Sequence, residues 1–169
     1  MKNMMISATT ALLLSANALW ADPIVAVELA PVAHKDATLV VVGADGTEIA
    51  YSPAQLEELP TYSLTTRTPW RDEPARFEGV LLTDLLAANG IANASAISII
   101  AENDYATVMS QEVWNDVDVL VATRVDGRPH TRRARGPIQF VIDMEAYTTS
   151  EFTSEQNLVW MAARIEAEG

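Results

Sequence analysis

The sequence predicts an α+β domain. Short β-branched runs recur along the chain, Asp-Gly pairs follow two of them as hairpin turns, and only two short stretches carry helix signals. From the N-terminus, Lys2 supplies a basic start and Met4 to Leu14 an apolar run broken only by Ser7, Thr9 and Thr10. Ala16-Asn17-Ala18 then has the small-x-small form that signal peptidase accepts, and a cut after Ala21 is the alternative. Residues 1–21 therefore read as an export signal, and 22–169 as one domain of ordinary size. No later run reaches the ~18 apolar residues that a membrane span needs.

The stretch up to about Ala37 reads as an extended lead-in or edge strand. Thr38 to Gly43 is a strand, closed into a hairpin by Asp45-Gly46 because glycine accepts positive φ. Ser52-Pro53 opens a short helix, with serine as the N-terminal cap, and Pro60 stops it. Tyr62 to Thr66 is a strand, Thr68 to Pro74 a loop, and Arg76 to Glu78 a brief extended piece. Leu81, Leu82, Leu85 and Leu86 fall on one helical face, which Gly90 ends. Ala96 to Ala101 is a strand leading into Glu102-Asn103-Asp104-Tyr105. Val117 to Val125 is another, turned at Asp126-Gly127, and Ile138 to Ile142 is a buried strand. Asn157 to Glu168 fits helix or strand equally.

The chain has 169 residues, a formal net charge of −12 and no cysteine. An acidic exported domain is a poor partner for nucleic acid or anionic lipid. The phosphate-binding glycine loops and the Gly-x-Ser-x-Gly elbow are missing. His34 and His130 have no metal-ligand spacing. The arginines, in contrast, cluster. Arg67, Arg71 and Arg76 surround Trp70, while Arg124, Arg128, Arg132, Arg133 and Arg135 lie in one hairpin and its return. Forked guanidinium donors suit an anion pocket, but they equally neutralise acids such as Asp72, Glu73 and Asp126 across strands. For Arg124 and Arg128 the second reading is favoured. Trp70 either stacks on a flat heterocycle or plugs the end of a core. Glu102 to Tyr105 offers carboxylates for an amino-pyrimidine edge, or is simply a turn. Trp114 and Trp160 read as core.

Taken in order, Phe77-Glu78-Gly79-Val80-Leu81-Leu82-Thr83-Asp84-Leu85-Leu86, Ala101-Glu102-Asn103-Asp104-Tyr105, Asp118-Val119-Leu120-Val121-Ala122, Asp126-Gly127, Arg135-Gly136-Pro137-Ile138 and the close Val159-Trp160 with Ile165-Glu166 resemble the molybdopterin-binding domain of sulfite-oxidase-type oxidoreductases. More narrowly, the chain resembles the short, stand-alone exported members of that superfamily. The resemblance spans about 38–166. It implies a single α+β domain with a mixed sheet, short flanking helices and an extended final segment. The enzymes of the family hold molybdenum through a cysteine in a region that here reads Tyr62 to Arg67, with no thiolate, and carry an arginine where this chain has Gln139. No molybdenum is expected, since a hydroxyl is a poor substitute for a soft sulfur ligand.

The short members resemble periplasmic pterin-binding proteins that report to membrane-bound diguanylate cyclases or sensor kinases. The resemblance thus implies a periplasmic location, a pterin or molybdopterin-like ligand and a membrane-sensor partner. The pterin would lie beside Trp70 and Tyr105, with Asp104 or Glu102 on its amino-pyrimidine edge. Arg67, Arg133 or Arg135 would bond the ring carbonyl or a polar tail, with Thr66 and Asn103 at matching positions. The alternatives are a molybdopterin-dependent oxidoreductase subunit and an interaction module with a vestigial pocket.

Overall fold

The structure is a computed structural model that describes residues 24–168; the expected export signal, 1–21, lies outside the described residues. The chain runs β1 (Ile24–Ala26), β2 (Leu39–Val42), β3 (Glu48–Tyr51), α1 (Pro53–Leu56), β4 (Thr61–Thr66), β5 (Ala75–Leu81), α2 (Leu82–Ala88), β6 (Ala96–Ala101) and β7 (Ala106–Ser110). It continues through α3 (Gln111–Asp116), β8 (Val119–Val125), β9 (Arg128–Pro129), β10 (Gln139–Ile142), α4 (Met144–Thr149) and β11 (Ala162–Ala167). Single 3-10 turns sit at Arg132–Ala134 and Glu155–Asn157. The α+β class holds. Among the described residues no helix is long and apolar enough to cross a membrane.

The single mixed sheet is corrected to two. The first sheet, in the order β1-β4-β5-β8-β10 with β9 beside β8, is antiparallel throughout. The second, β3-β2-β11-β6-β7, is mixed through one parallel pair, β2 with β11. One corner explains the split. Trp160 still bridges Gln139 at the edge of β10, and Phe140 N–H donates to Val159 O at 2.7 Å. Met161 then takes the left-handed conformation, φ 55°, and turns the chain out of the first sheet. From Ala162 onward it pairs with β6 instead.

Local chemistry placed most elements. Gly46 and Gly127 turn their hairpins at φ 79° and 75°. Ser52 closes a capping box with Gln55 at the start of α1. Three differences appear. β5 extends through Leu81, because Phe77 to Val80 are all buried and a buried run prefers ladder bonds. β7 and α3 fill a stretch that the sequence left unassigned. α4 adds a further helix, capped by Asp143, whose carboxylate accepts from Glu145 and Ala146 N–H.

The main core lies around Leu39, Leu85, Ile99, Val121, Phe140 and Ile165. A smaller cluster of Leu64, Phe77, Leu120, Ala122 and Val141 covers the other face of the first sheet, as period-two alternation along β8 and β10 requires. Gly79 allows β5 and β8 to close: a Cβ there would stand 2.1 Å from Val121 O, at the register shift between the two strands.

Candidate functional site

Eight arginines fall in the two sequence clusters, and the structure sorts them. Arg124 is the buried one, 3% exposed. Its Nε donates to Glu57 Oε1 at 2.8 Å, Nη2 donates to Glu57 Oε2, and Nη1 donates to Ala30 O at 2.9 Å. Thr123 Oγ1 also donates to Glu57 Oε1, at 2.6 Å, and His34 Nε2 lies 3.1 Å from that oxygen. Burial alone pushes the Glu57 carboxyl up; Arg124, Thr123 and His34 outweigh it and hold the group below the usual carboxylate range. The favoured reading of Arg124 as a neutralising residue holds, with an unforeseen partner: Glu57 rather than Asp72, Glu73 or Asp126. Arg76 pairs with Glu78 at 2.9 Å, and Arg132 with Glu102 through two bonds of 2.7 and 2.8 Å.

Arg135 behaves otherwise. It follows the 3-10 turn Arg132–Ala134 in the left-handed region, φ 77°, a costly conformation for a bulky residue. Its guanidinium carbon stands 4.4 Å from the centre of Trp70 and 5.1 Å from that of Trp160. Among the described residues the side chain has no hydrogen-bond or ion-pair partner. Its carbonyl accepts from Met161 N–H at 3.3 Å, so the two left-handed residues brace each other. Gly136 packs against His130, where a Cβ would lie 2.6 Å from the ring. His130 bonds Gln139 Oε1 through Nε2 at 2.8 Å. Burial pushes His130 below the usual imidazole range, against the Gln139 bond and with the help of Arg71.

Two clefts meet at the Trp70–Trp160 wall. One, of about 480 Å³, is lined by both tryptophans, Tyr105, Leu158, Asn103 and the Ser154-Glu155-Gln156 turn. Its size is in the range of small-molecule sites, and its lining sets aromatic rings and Leu158 against the polar side chains of Asn103, Ser154, Glu155 and Gln156. The other, of about 330 Å³, is lined by Thr68, Arg71, Arg132, Arg133, Arg135 and Gln139 as well as the tryptophans. The walls are tied together by backbone. Glu102 N–H donates to Met161 O at 2.8 Å, and Ala101 N–H to Tyr105 O at 2.8 Å.

Of the residues singled out from sequence, Trp70, Asn103 and Tyr105 line the first cleft, and Trp70, Arg133 and Arg135 the second. The others do not join them. Glu102 spends its carboxylate on Arg132. Asp104 is an exposed turn residue at φ 63°. Neither is among the residues lining these two clefts. Thr66 is buried and accepts from Met144 N–H at 2.9 Å, so its hydroxyl caps α4. Arg67 is exposed and borders neither cleft.

Sequence reasoning missed four residues. Trp160 read as core, yet it walls both clefts. Glu155 carries the carboxylate that does line the first cleft. Thr68 is 4% exposed with an unpartnered hydroxyl, and Gln139 is 2% exposed; both border the arginine cleft. No protein-family model matches this chain, and no curated protein matches it in sequence.

Proposed function

We propose that this chain is a non-catalytic, periplasmic pterin-binding protein that relays its ligand state to a membrane-bound diguanylate cyclase or histidine kinase. The observation that carries the ligand is the aromatic cleft, where Trp70, Trp160 and Tyr105 surround space for one flat bicyclic ring. Indole faces stack on any heterocycle. The Glu155 carboxylate and Asn103 amide give the amino-pyrimidine edge its acceptors, a pairing for which a carboxylate's two oxygens are suited. Arg135, stacked on the indoles that both clefts share, borders the neighbouring cleft, where its guanidinium is a donor for a polar tail of the ligand. Thr66, in the strand where the family resemblance places a metal-holding cysteine, commits its hydroxyl to α4. Nothing in that strand offers a soft ligand, which supports binding rather than molybdenum redox chemistry. The location and the sensor partner rest on the expected export signal at 1–21 and on the family resemblance.

Calorimetric titration of the mature chain with oxidised and tetrahydro forms of a pterin tests the reading. Micromolar binding is expected. Trp160→Ala should weaken it tenfold or more, since a stacked ring contributes about 1–3 kcal/mol. Absence of heat at high micromolar pterin, with the protein folded, would refute the proposal.

A further inference from the structure

The segment between β1 and β2, residues 27–38, forms no strand or helix, and none of its residues is buried. It runs as a strap between two anchored ends, Ile24 in β1 and the fully buried Leu39 in β2. Polar contacts hold it along the way. Val27 N–H donates to Thr61 O at 2.9 Å, and Arg124 Nη1 to Ala30 O at 2.9 Å. His34 Nε2 lies 3.1 Å from Glu57 Oε1, and Arg132 Nη2 donates to Asp36 O at 3.4 Å. Lys35 shares a cleft of about 430 Å³ with His130, Arg132, Arg133 and Pro137, so the strap is not packed tightly there. A segment without buried apolar side chains opens at a small fraction of the free energy of global unfolding.

The two halves of the strap are held differently. Ala30 and His34 lie on the buried Arg124–Glu57 pair, and breaking such a pair is strongly unfavourable. Asp36 is held by Arg132, whose side chain is 48% exposed. That guanidinium is aimed by Glu102, which accepts from its Nε at 2.8 Å and its Nη2 at 2.7 Å. Glu102 in turn opens the turn whose Asn103 and Tyr105 line the aromatic cleft, and its N–H donates to Met161 O, next to Trp160. The turn itself is exposed, with Asp104 at φ 63° and a 3.3 Å bond from Tyr105 N–H to Asn103 Oδ1. A continuous series of bonds thus runs from the cleft wall through Glu102 and Arg132 to the strap.

We propose that residues 31–38 are a local opening unit whose closure is coupled to the aromatic cleft through Arg132. A ligand that orders the Glu102–Tyr105 turn fixes Arg132 and tightens the strap. By linkage, an open strap weakens the ligand by the same factor. Ligand state is converted into a covered or an open segment, a difference that a sensor can read. The ligand's part in this rests on the pterin reading; the hold of Arg132 on the strap does not.

The test uses the sequence directly. Lys35 is the only lysine of residues 22–169, so the lysine-specific protease Lys-C reads strap opening at one bond. When opening and closing are fast, cleavage tracks the open population. Glu102→Gln and Arg132→Gln should each speed cleavage of the mature chain about three- to tenfold, the range that one hydrogen bond's net contribution spans, with the urea midpoint nearly unchanged. The double variant should be cleaved no faster than either single one, because both break one path. Arg128→Gln, an exposed arginine outside that path, is the control and should leave the rate as it is. Saturating tetrahydroneopterin should slow cleavage of the unmodified chain at least about threefold and have little effect on Arg132→Gln. Unchanged cleavage in both single variants would overturn the proposal, as would rates that follow the urea midpoint, since the strap would then open only with the whole fold. Pterin binding without any change at Lys35 would overturn the coupling and leave the pterin reading standing. No pterin binding, with both variants still cleaved faster, would refute the pterin reading and uphold the strap.

Discussion

Arg124 and Arg135 belong to the same run of basic residues, and the fold uses them in opposite ways. Arg124 is buried, its guanidinium held by Glu57 and by Ala30 O, and it pins the irregular lead-in segment to the body of the protein. Arg135 faces no acid and rests on two indoles at the junction of two clefts. The contrast teaches that arginine clustering carries little meaning until the acids are placed. A neutralised arginine belongs to the scaffold; one kept from every acid in a strongly acidic protein is held for something else.

The largest expected effect breaks the first half of the comparison. Glu57→Ala leaves Arg124 buried without its counter-charge and should cost about 3–5 kcal/mol, read by urea denaturation. Glu57→Leu combined with Arg124→Met should recover much of that loss, because an apolar pair of similar volume requires no ionic match. The second half predicts the reverse pattern for Arg135. Arg135→Ala removes an open cation–π contact and should cost only about 1 kcal/mol, while ligand affinity falls tenfold or more. A stability loss from Arg135→Ala as large as that from Glu57→Ala would erase the distinction.

Acidity gives a smaller, sharper separation. Glu57 has a folded pKa below its unfolded value, so its contribution is present above about pH 4.3 and is lost as pH falls through the folded value. His130 is also depressed. The unfolded chain therefore takes up its proton first, and stability declines as pH falls below about 6.5. Thermal unfolding between pH 7 and 5 should show the His130 decline, and His130→Gln should flatten it. The Glu57 decline should appear only at lower pH and persist in that variant.

Much of the fold was legible because its signals are local. Asp45-Gly46 and Asp126-Gly127 set their turns within a few residues, as did Ser52 and Pro53 at the start of α1. The stretch Ala106 to Asp116 was not, because only Thr107, Met109, Val113 and Trp114 are buried in it, too few for a clear period. The site was legible in part. Trp70, Tyr105 and Asn103 border one cleft, and Trp70, Arg133 and Arg135 the adjoining one. The pairing of Glu102 was not legible, because its partner, Arg132, comes from a hairpin distant in sequence. Trp160 failed because a tryptophan reads the same whether it fills a core or walls a cleft. Thr68 left no sequence signal, since only three dimensions reveal an unpartnered hydroxyl.

The placement of the tryptophans has a consequence for observation. Three tryptophans fall among the described residues; Trp70 and Trp160 wall the cleft, and Trp114 is buried in the core. A ring entering the cleft alters Trp70 and Trp160 and leaves the buried Trp114 as an internal standard. The protein thus carries its own optical gauge of occupancy, with Trp114 marking whether the fold beneath it is intact.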